Sequence, residues 1–369
     1  MKTEKAYGFF AALRMTAVAL RRALLGAIPV LVLAALSLGS CVEIQGPDDD
    51  VWNDLSGDVP IRFTTTIAAP ATKTGTALPN GTTFGVFAFY QPGIINGTHG
   101  AWNASTCTPN FMFNEDVTYT ALSDSYSYSP LKYWPNNIEN TISFWAYSPY
   151  NDSNLTLRDS GLSSSYTNES VGIPDIRFTV TDGQTDLLVS DLVESESKQD
   201  LDEAVSFTFH HTLSLIEFKV KKLYGEGEDA DHPKYTVKLK SITLNNVKYT
   251  AVHNQSTGWT APTGAPGNMN AYSGDLVLTT SYQTLPGIMP MPQTLEDSKL
   301  RIEYTIMFSG LTSPLTNIYT IKMSDIFSPA TAEWEENHHY TYSITIKPDD
   351  PIIFQVQWTS WGSPNNYHL

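Results

Sequence analysis

From Val59 onward the chain is a succession of short runs with a period of two, broken by Pro, Gly, Asn, Asp and Ser. The runs "IRFTTTI", "TFGVFAFY", "NTISFWAYSPY", "DIRFTV", "YTVKLKSITLNNVKY", "KLRIEYTIMF" and "HYTYSITI" all put alternate residues on opposite sides. That is the pattern of half-buried strands. No stretch sustains a helical period over three turns, and "SPATAEWEENHH" has room for one short turn at most. Strands at regular spacing with turn signals between them specify an all-β chain of sandwich type. Aromatics at 12% and charged residues at 16% agree with packed strands and not with a disordered chain.

At 369 residues there is material for two cores. The stretch "YGEGEDADHPKY" is glycine-rich, acidic and close to the midpoint, which predicts a boundary there. The expected organisation is a β-sandwich over 59–224 and a second over 225–369. Just before that boundary, "VSFTFHHTLSLIEFKVK" carries Val205, Phe207, Phe209 and His211 in one phase. Ile216, Phe218 and Val220 fall in the other phase, which predicts a single long strand with a bulge or bend.

The N-terminus has Arg21 and Arg22, then an apolar run, "ALLGAIPVLVLAALSLGS", ending at Cys41. The run is roughly fifteen residues, short of the ~20 that a spanning helix needs, and reads as a secretory signal over 1–40. Leu38-Gly39-Ser40-Cys41 resembles the bacterial lipobox, in which the cysteine is acylated and becomes the new N-terminus. Met15 is an alternative start. Residues 41–58 then read as an acidic flexible tether. Cleavage before Cys41 leaves 17 Lys+Arg against 37 Asp+Glu, a net charge of −20. Nucleic acid and anionic membrane surfaces are therefore poor partners for the bulk of the chain.

Residues for chemistry are sparse. There is no GxSxG, HExxH, GxxxxGKS/T or GxGxxG motif, so no enzyme and no cofactor is expected. His210-His211 and His338-His339 are adjacent pairs, whose members point to opposite faces of a strand and do not chelate one ion. In "EGEDADH", Glu228, Asp229 and Asp231 offer oxygen ligands for calcium, but without EF-hand spacing; a solvated linker is the simpler account. No metal is expected. Cys107 reads as an unpaired loop thiol. The cluster Tyr133, Trp134, Phe144, Trp145, Tyr147 and Tyr150 suggests a glycan-stacking platform if Trp134 and Trp145 are exposed, and core if they are buried.

The last strand, "IIFQVQW", sets Ile352, Phe354, Val356 and Trp358 on one face against Ile353, Gln355, Gln357 and Thr359. It completes either the protein's own sheet or another molecule's.

Taken in order, the lipobox, "IRFTTTI" with "ATKTG", "YWPNNIENTISFWAYSPY", "FTFHHTLSLIEFKV", "LPGIMPMPQTL", "NHHYTYSITI" and the last strand resemble the fimbrillin family of Bacteroidetes lipoproteins, the Mfa-like branch. The resemblance implies two tandem transthyretin-like β-sandwich domains and an outer-membrane-anchored fimbrial subunit or adhesin. It further implies that a protease cuts after the first strand, Ile61–Ile67, and that a C-terminal strand of another subunit fills the vacated groove. Carried onto this chain, the cut falls after Lys73, and the donor face is Ile352, Phe354, Val356 and Trp358. The family's usual residue at the cut is arginine, so an Arg-specific protease would not act at Lys73. The partners implied are other fimbrillin-type subunits, the outer membrane through the lipid, and a surface glycan or protein. The alternative from another class is a surface glycan-binding lipoprotein of a carbohydrate-uptake system.

Overall fold

Turn residues break the chain, and the runs between them become strands in the computed structural model. It describes residues 59–68, 78–93, 99–182, 184–198, 204–225, 227–230, 234–326, 332–347, 351–361 and 367–368. The first half carries β1 (Phe63–Ile67), β2 (Thr83–Gln91), β3 (Met112–Thr120), β4 (Ser125–Ser127), β5 (Thr141–Ser148), β6 (Leu155–Arg158) and β7 (Asp175–Thr179). Next come β8 (Leu188–Ser190), β9 (Val193–Glu196), β10 (Val205–His211), β11 (Leu215–Lys222), β12 (Tyr235–Val247), β13 (Thr250–Asn254) and β14 (Gly258–Trp259). Then follow β15 (Gly267–Val277), β16 (Gln283–Thr284), β17 (Gln293–Thr294), β18 (Lys299–Phe308) and β19 (Leu315–Lys322). A single helical turn, α1 (Met323–Ile326), precedes β20 (Glu333–Trp334), β21 (His338–Ile346), β22 (Ile353–Ser360) and β23 (Tyr367–His368). The protein is nearly all β, as its alternation predicts.

The largest sheet runs β1-β10-β8-β5-β2-β3-β4, with β9 also on β5. Its central strands β2 and β5 are buried along almost their whole length. On one face, Phe84, Val86, Phe144 and Ala146 meet Phe63, Val205, Phe207 and Phe209. The sheet curls around this core until its two ends meet, where the Tyr126 hydroxyl lies 2.8 Å from Thr65 Oγ1. On the other face, Phe87, Phe89, Trp145 and Tyr147 join a second core that continues into the C-terminal sheets.

Those sheets run β16-β11-β21-β22-β23 and β15-β12-β18-β19. Phe218, Val220, Tyr342 and Ile344 from the first pack with Val237, Leu239, Ile302 and Tyr304 from the second. This is the interdigitation of two sheets across an apolar layer.

Two expectations are corrected here. The run 205–222 is not one bulged strand. β10 pairs with β1 and β8, whereas β11 runs parallel to β21 in register Leu215↔His339 through Lys222↔Ile346. The chain changes sheets at Thr212–Ser214, which are fully buried. The Thr212 backbone N–H and hydroxyl both donate to the Leu187 carbonyl, and the Ser214 N–H donates to that of Pro290. The phase shift in the sequence thus marks a change of core. For the same reason the sheets do not part at residue 225. β11 lies before that point in a C-terminal sheet, and β13 lies beyond it but pairs with β7.

Phe207 packs at 5.6 Å on Phe63 and at 6.1 Å on both Phe84 and Phe209. Phe207→Ala should therefore destabilise the fold by about 3–5 kcal/mol, seen as a lower urea midpoint. A loss under about 1 kcal/mol, the range of minor surface changes, would mean this ring cluster is not the core.

Candidate functional site

β1 is an edge strand with a strong apolar side. Ile61, Phe63 and Thr65 are buried while Arg62, Thr64 and Thr66 are exposed, as alternation requires. One backbone edge forms a parallel ladder with β10, from Phe63↔Val205 to Ile67↔Phe209. Phe63 also meets Tyr128 at 5.3 Å and Phe144 at 6.2 Å. The other backbone edge is held largely by side chains and isolated bonds. The Thr65 N–H donates to the Tyr126 hydroxyl (3.2 Å), and the Tyr128 hydroxyl donates to the Ile61 carbonyl (2.9 Å). The Ile61 N–H reaches the Lys132 carbonyl, and the Trp134 N–H that of Val59. Burial pushes the Tyr128 phenol upward, against a smaller lowering by its backbone bond at Lys132, so it stays a donor at neutral pH.

β22 pairs antiparallel with β21 over its full length, from Thr345↔Ile353 to His338↔Ser360. Ile352 and Val356 enter the core. Phe354 stacks on Tyr319 at 5.9 Å, and Trp358 lies 5.4 Å from His338. The four residues of the expected face therefore share one side, lying against their own sheets. On the outer edge β23 pairs only at Gln357 and Trp358; among the described residues no strand covers Ile353–Val356. Beyond the strand, Trp361 stacks on His211 at 3.9 Å with 4° between the rings, and His211 Nδ1 lies 2.7 Å from Asp186 Oδ2. Sequence reading missed this contact, because nothing local links residues 211 and 361.

Several candidates fall elsewhere. Cys41 and Lys73 lie outside the described residues, as does Asp231. Trp134 and Trp145 are 7% and 1% exposed, so they are core and not a glycan platform. Trp145 Nε1 donates to Gln255 Oε1 at 2.9 Å, and Trp134 packs edge-on to Phe144. His210 and His211 contact separate carboxylates, Asp191 and Asp186. His338 Nδ1 lies 2.8 Å from the Glu336 carbonyl, and burial lowers the pKa of His339. No group of three or more metal-type ligands occurs among the described residues. Cys107 is a free, partly buried thiol that accepts a bond from the Asn103 N–H.

Glu228 is neither a calcium ligand nor part of a solvated linker. Its side chain is fully buried and pairs with Lys222 Nζ at 2.8 Å; Lys222 also donates to the Tyr235 carbonyl. The Gly225 and Lys234 N–H groups donate to the same carboxylate. Burial pushes the Glu228 pKa up, but these bonds and the Lys222 charge outweigh it and hold the carboxyl below its ordinary value.

With this geometry in view, a model of the fimbrillin-like family matches residues 71–361. The chain belongs to the fimbrillin-like family. Among curated relatives, this fimbrillin-like chain is 29% identical over 211 residues to fimbrium subunit Fim1C of Phocaeicola vulgatus. That match spans 54% of this chain and 52% of the relative, about half of each. Among solved structures, a fimbrial protein from Bacteroides vulgatus superposes with a TM-score of 0.62 at 20% identity. The superposition covers 82% of this chain and all of that one, a likeness of fold.

The Glu228 pair gives a pH prediction. A carboxyl held low in the folded state stabilises it fully above the ordinary carboxylate range, and that contribution fades as pH falls through the lowered value. Lys222→Met strands the carboxylate and should cost about 3–5 kcal/mol at neutral pH while flattening the acid limb of the stability curve. An unchanged acid limb by denaturant titration would show that the pair is not coupled to folding.

Proposed function

We propose that this chain is a cell-surface fimbrial subunit or adhesin whose precursor is anchored to the outer membrane through acylated Cys41. In this reading it is matured by a cut after Lys73 and assembled by β-strand exchange. The observation that carries the proposal is the way β1 is held. Its apolar side plugs an aromatic core, yet its regular ladder is confined to one edge. Removing it leaves the N–H and C=O groups of β10 unpaired beside Phe144, Phe207 and Tyr128. Such a trough is satisfied only by another extended, alternating segment. β22 of a second subunit has the matching alternation in Ile352, Phe354, Val356 and Trp358. The lysine at the cut calls for a protease that accepts Lys.

The N-terminus of surface-exposed material tests this reading. A start at Thr74, together with a ladder of oligomers that resist detergent and collapse on boiling, is the expected result. Surface material that begins only at acylated Cys41 and runs only as monomer would overturn strand exchange. The anchor is tested separately on the uncut precursor: Cys41→Ala should abolish its palmitate labelling and membrane retention, and persistent labelling would remove the lipid from the proposal.

A further inference from the structure

Two clefts lie side by side with Trp102 in the wall of both. The larger has a volume of ≈ 790 Å³ and the smaller ≈ 560 Å³, each within the size range of small-molecule sites. The indole is fixed from behind, packing edge-on at 4.8 Å against Phe89, which is buried on β2.

The walls are built. Asn254 Nδ2 donates to Asp175 Oδ1 (2.7 Å) and Ser160 Oγ (3.1 Å). Gln255 accepts from Trp145 and donates to the Ser190 carbonyl. Asp159 accepts from the Ser164 and Ser170 hydroxyls, which hold its carboxyl below the ordinary range. Gly172, at φ +73°, lets its loop close on residue 104; a Cβ there would come within 2.7 Å of the Ala104 carbonyl oxygen. Glycine's freedom is used at this one point to seat one wall against the other.

The chemistry of the lining narrows the occupant. None of the described residues lining either cleft is Lys or Arg, so an anionic ligand finds no counter-charge among them. The larger cleft has carboxylates at Asp159, Glu169 and Glu194 beside apolar Leu162 and Val171. The smaller has none, only neutral groups such as Tyr90, Asn103, Thr106 and Asn110, with His99. A cationic peptide would find charge in one cleft alone. A chain of neutral sugars fits both: hydroxyls, amides and carboxylates meet its hydroxyl groups, and the indole offers an apolar surface for a pyranose C–H face.

We propose that the paired clefts around Trp102 bind a neutral oligosaccharide. This site is distinct from the buried Trp134 and Trp145, and it does not rest on strand exchange.

The test is NMR titration of the purified full chain with neutral mono- to trisaccharides of gluco, galacto, manno and N-acetylhexosamine type. Sialyllactose and oligolysine serve as charged controls, and the Trp102 indole N–H is followed. At least one neutral sugar should bind saturably, and Trp102→Ala should weaken it by about tenfold or more. Because Trp102 also packs on Phe89, Ser105→Arg and Thr106→Arg obstruct the two clefts from exposed positions and should weaken binding without changing the thermal midpoint. No saturable binding by any neutral sugar up to tens of millimolar would overturn the site. So would binding that survives all three substitutions, or binding by the charged controls alone.

Discussion

The burial of β2 and β5 on both faces is the constraint on which the architecture depends. A strand with two dry faces has no polar side to turn toward water, so each face must be covered. Phe84, Val86 and Phe144 face the core that the curled sheet closes over with β1 and β10. Phe87, Trp145 and Tyr147 face the core shared with the C-terminal sheets. Polar side chains at one end of these strands are bonded internally, with Thr141 and Ser143 both donating to Gln91 Oε1 and Gln91 Nε2 donating to the Phe89 carbonyl. A buried amide left unmatched there would cost on the order of 1–3 kcal/mol. The halves of the chain are thus joined through the middle of one sheet.

This arrangement makes β1 and β22 unequal. β1 is bound mainly through its apolar face, and its outer edge depends on tyrosine hydroxyls and a few isolated bonds. β22 has a complete ladder with β21. In the proposed strand exchange, donation of β22 would replace one ladder with another, and the net change in hydrogen bonding would be small, because backbone groups are paired before and after. A driving force for that proposed exchange would have to come from apolar area, with the groove around Phe207 and Phe144 set against the side on which Phe354 and Tyr319 meet. The Trp361–His211 stack works in the opposite direction, tying the end of the strand to its own molecule.

Much of the fold was legible because alternation is a local property. "IRFTTTI" became an edge strand with its predicted face inward, and the last strand kept its four residues on one side. What escaped depended on partners far away in the chain. The phase shift between Phe209 and Ile216 was visible, but a bulge and a change of sheet begin with the same local signal. Trp134 and Trp145 were candidates for exposure only because a strand with aromatics on both faces does not say whether both faces are covered. The acidic stretch after Tyr224 has the composition of a linker, yet Glu228 is folded back by Lys222, six residues earlier. Trp102 stood alone in a polar loop and gave no signal until β6–β7 and β13–β14 closed around it.

The clefts lie in a different part of the fold from β1 and β22, the strands of the proposed exchange. Trp102 sits in the β2–β3 connection, and the opposing walls come from the β6–β7, β8–β9 and β13–β14 connections. None of these residues belongs to β1 or β22. Loops tolerate change in side chains because the scaffold beneath them carries the packing. Loss of β1 alters the core on the face of β2 and β5 that contains Phe84 and Phe144, whereas Trp102 rests on Phe89, on the opposite face. On the proposals above, a sheet with two cores could trade a strand on one side while leaving the Trp102 clefts on the other unchanged. The double burial of β2 and β5 thus keeps the face that holds β1 apart from the face beneath Trp102 within a single sheet.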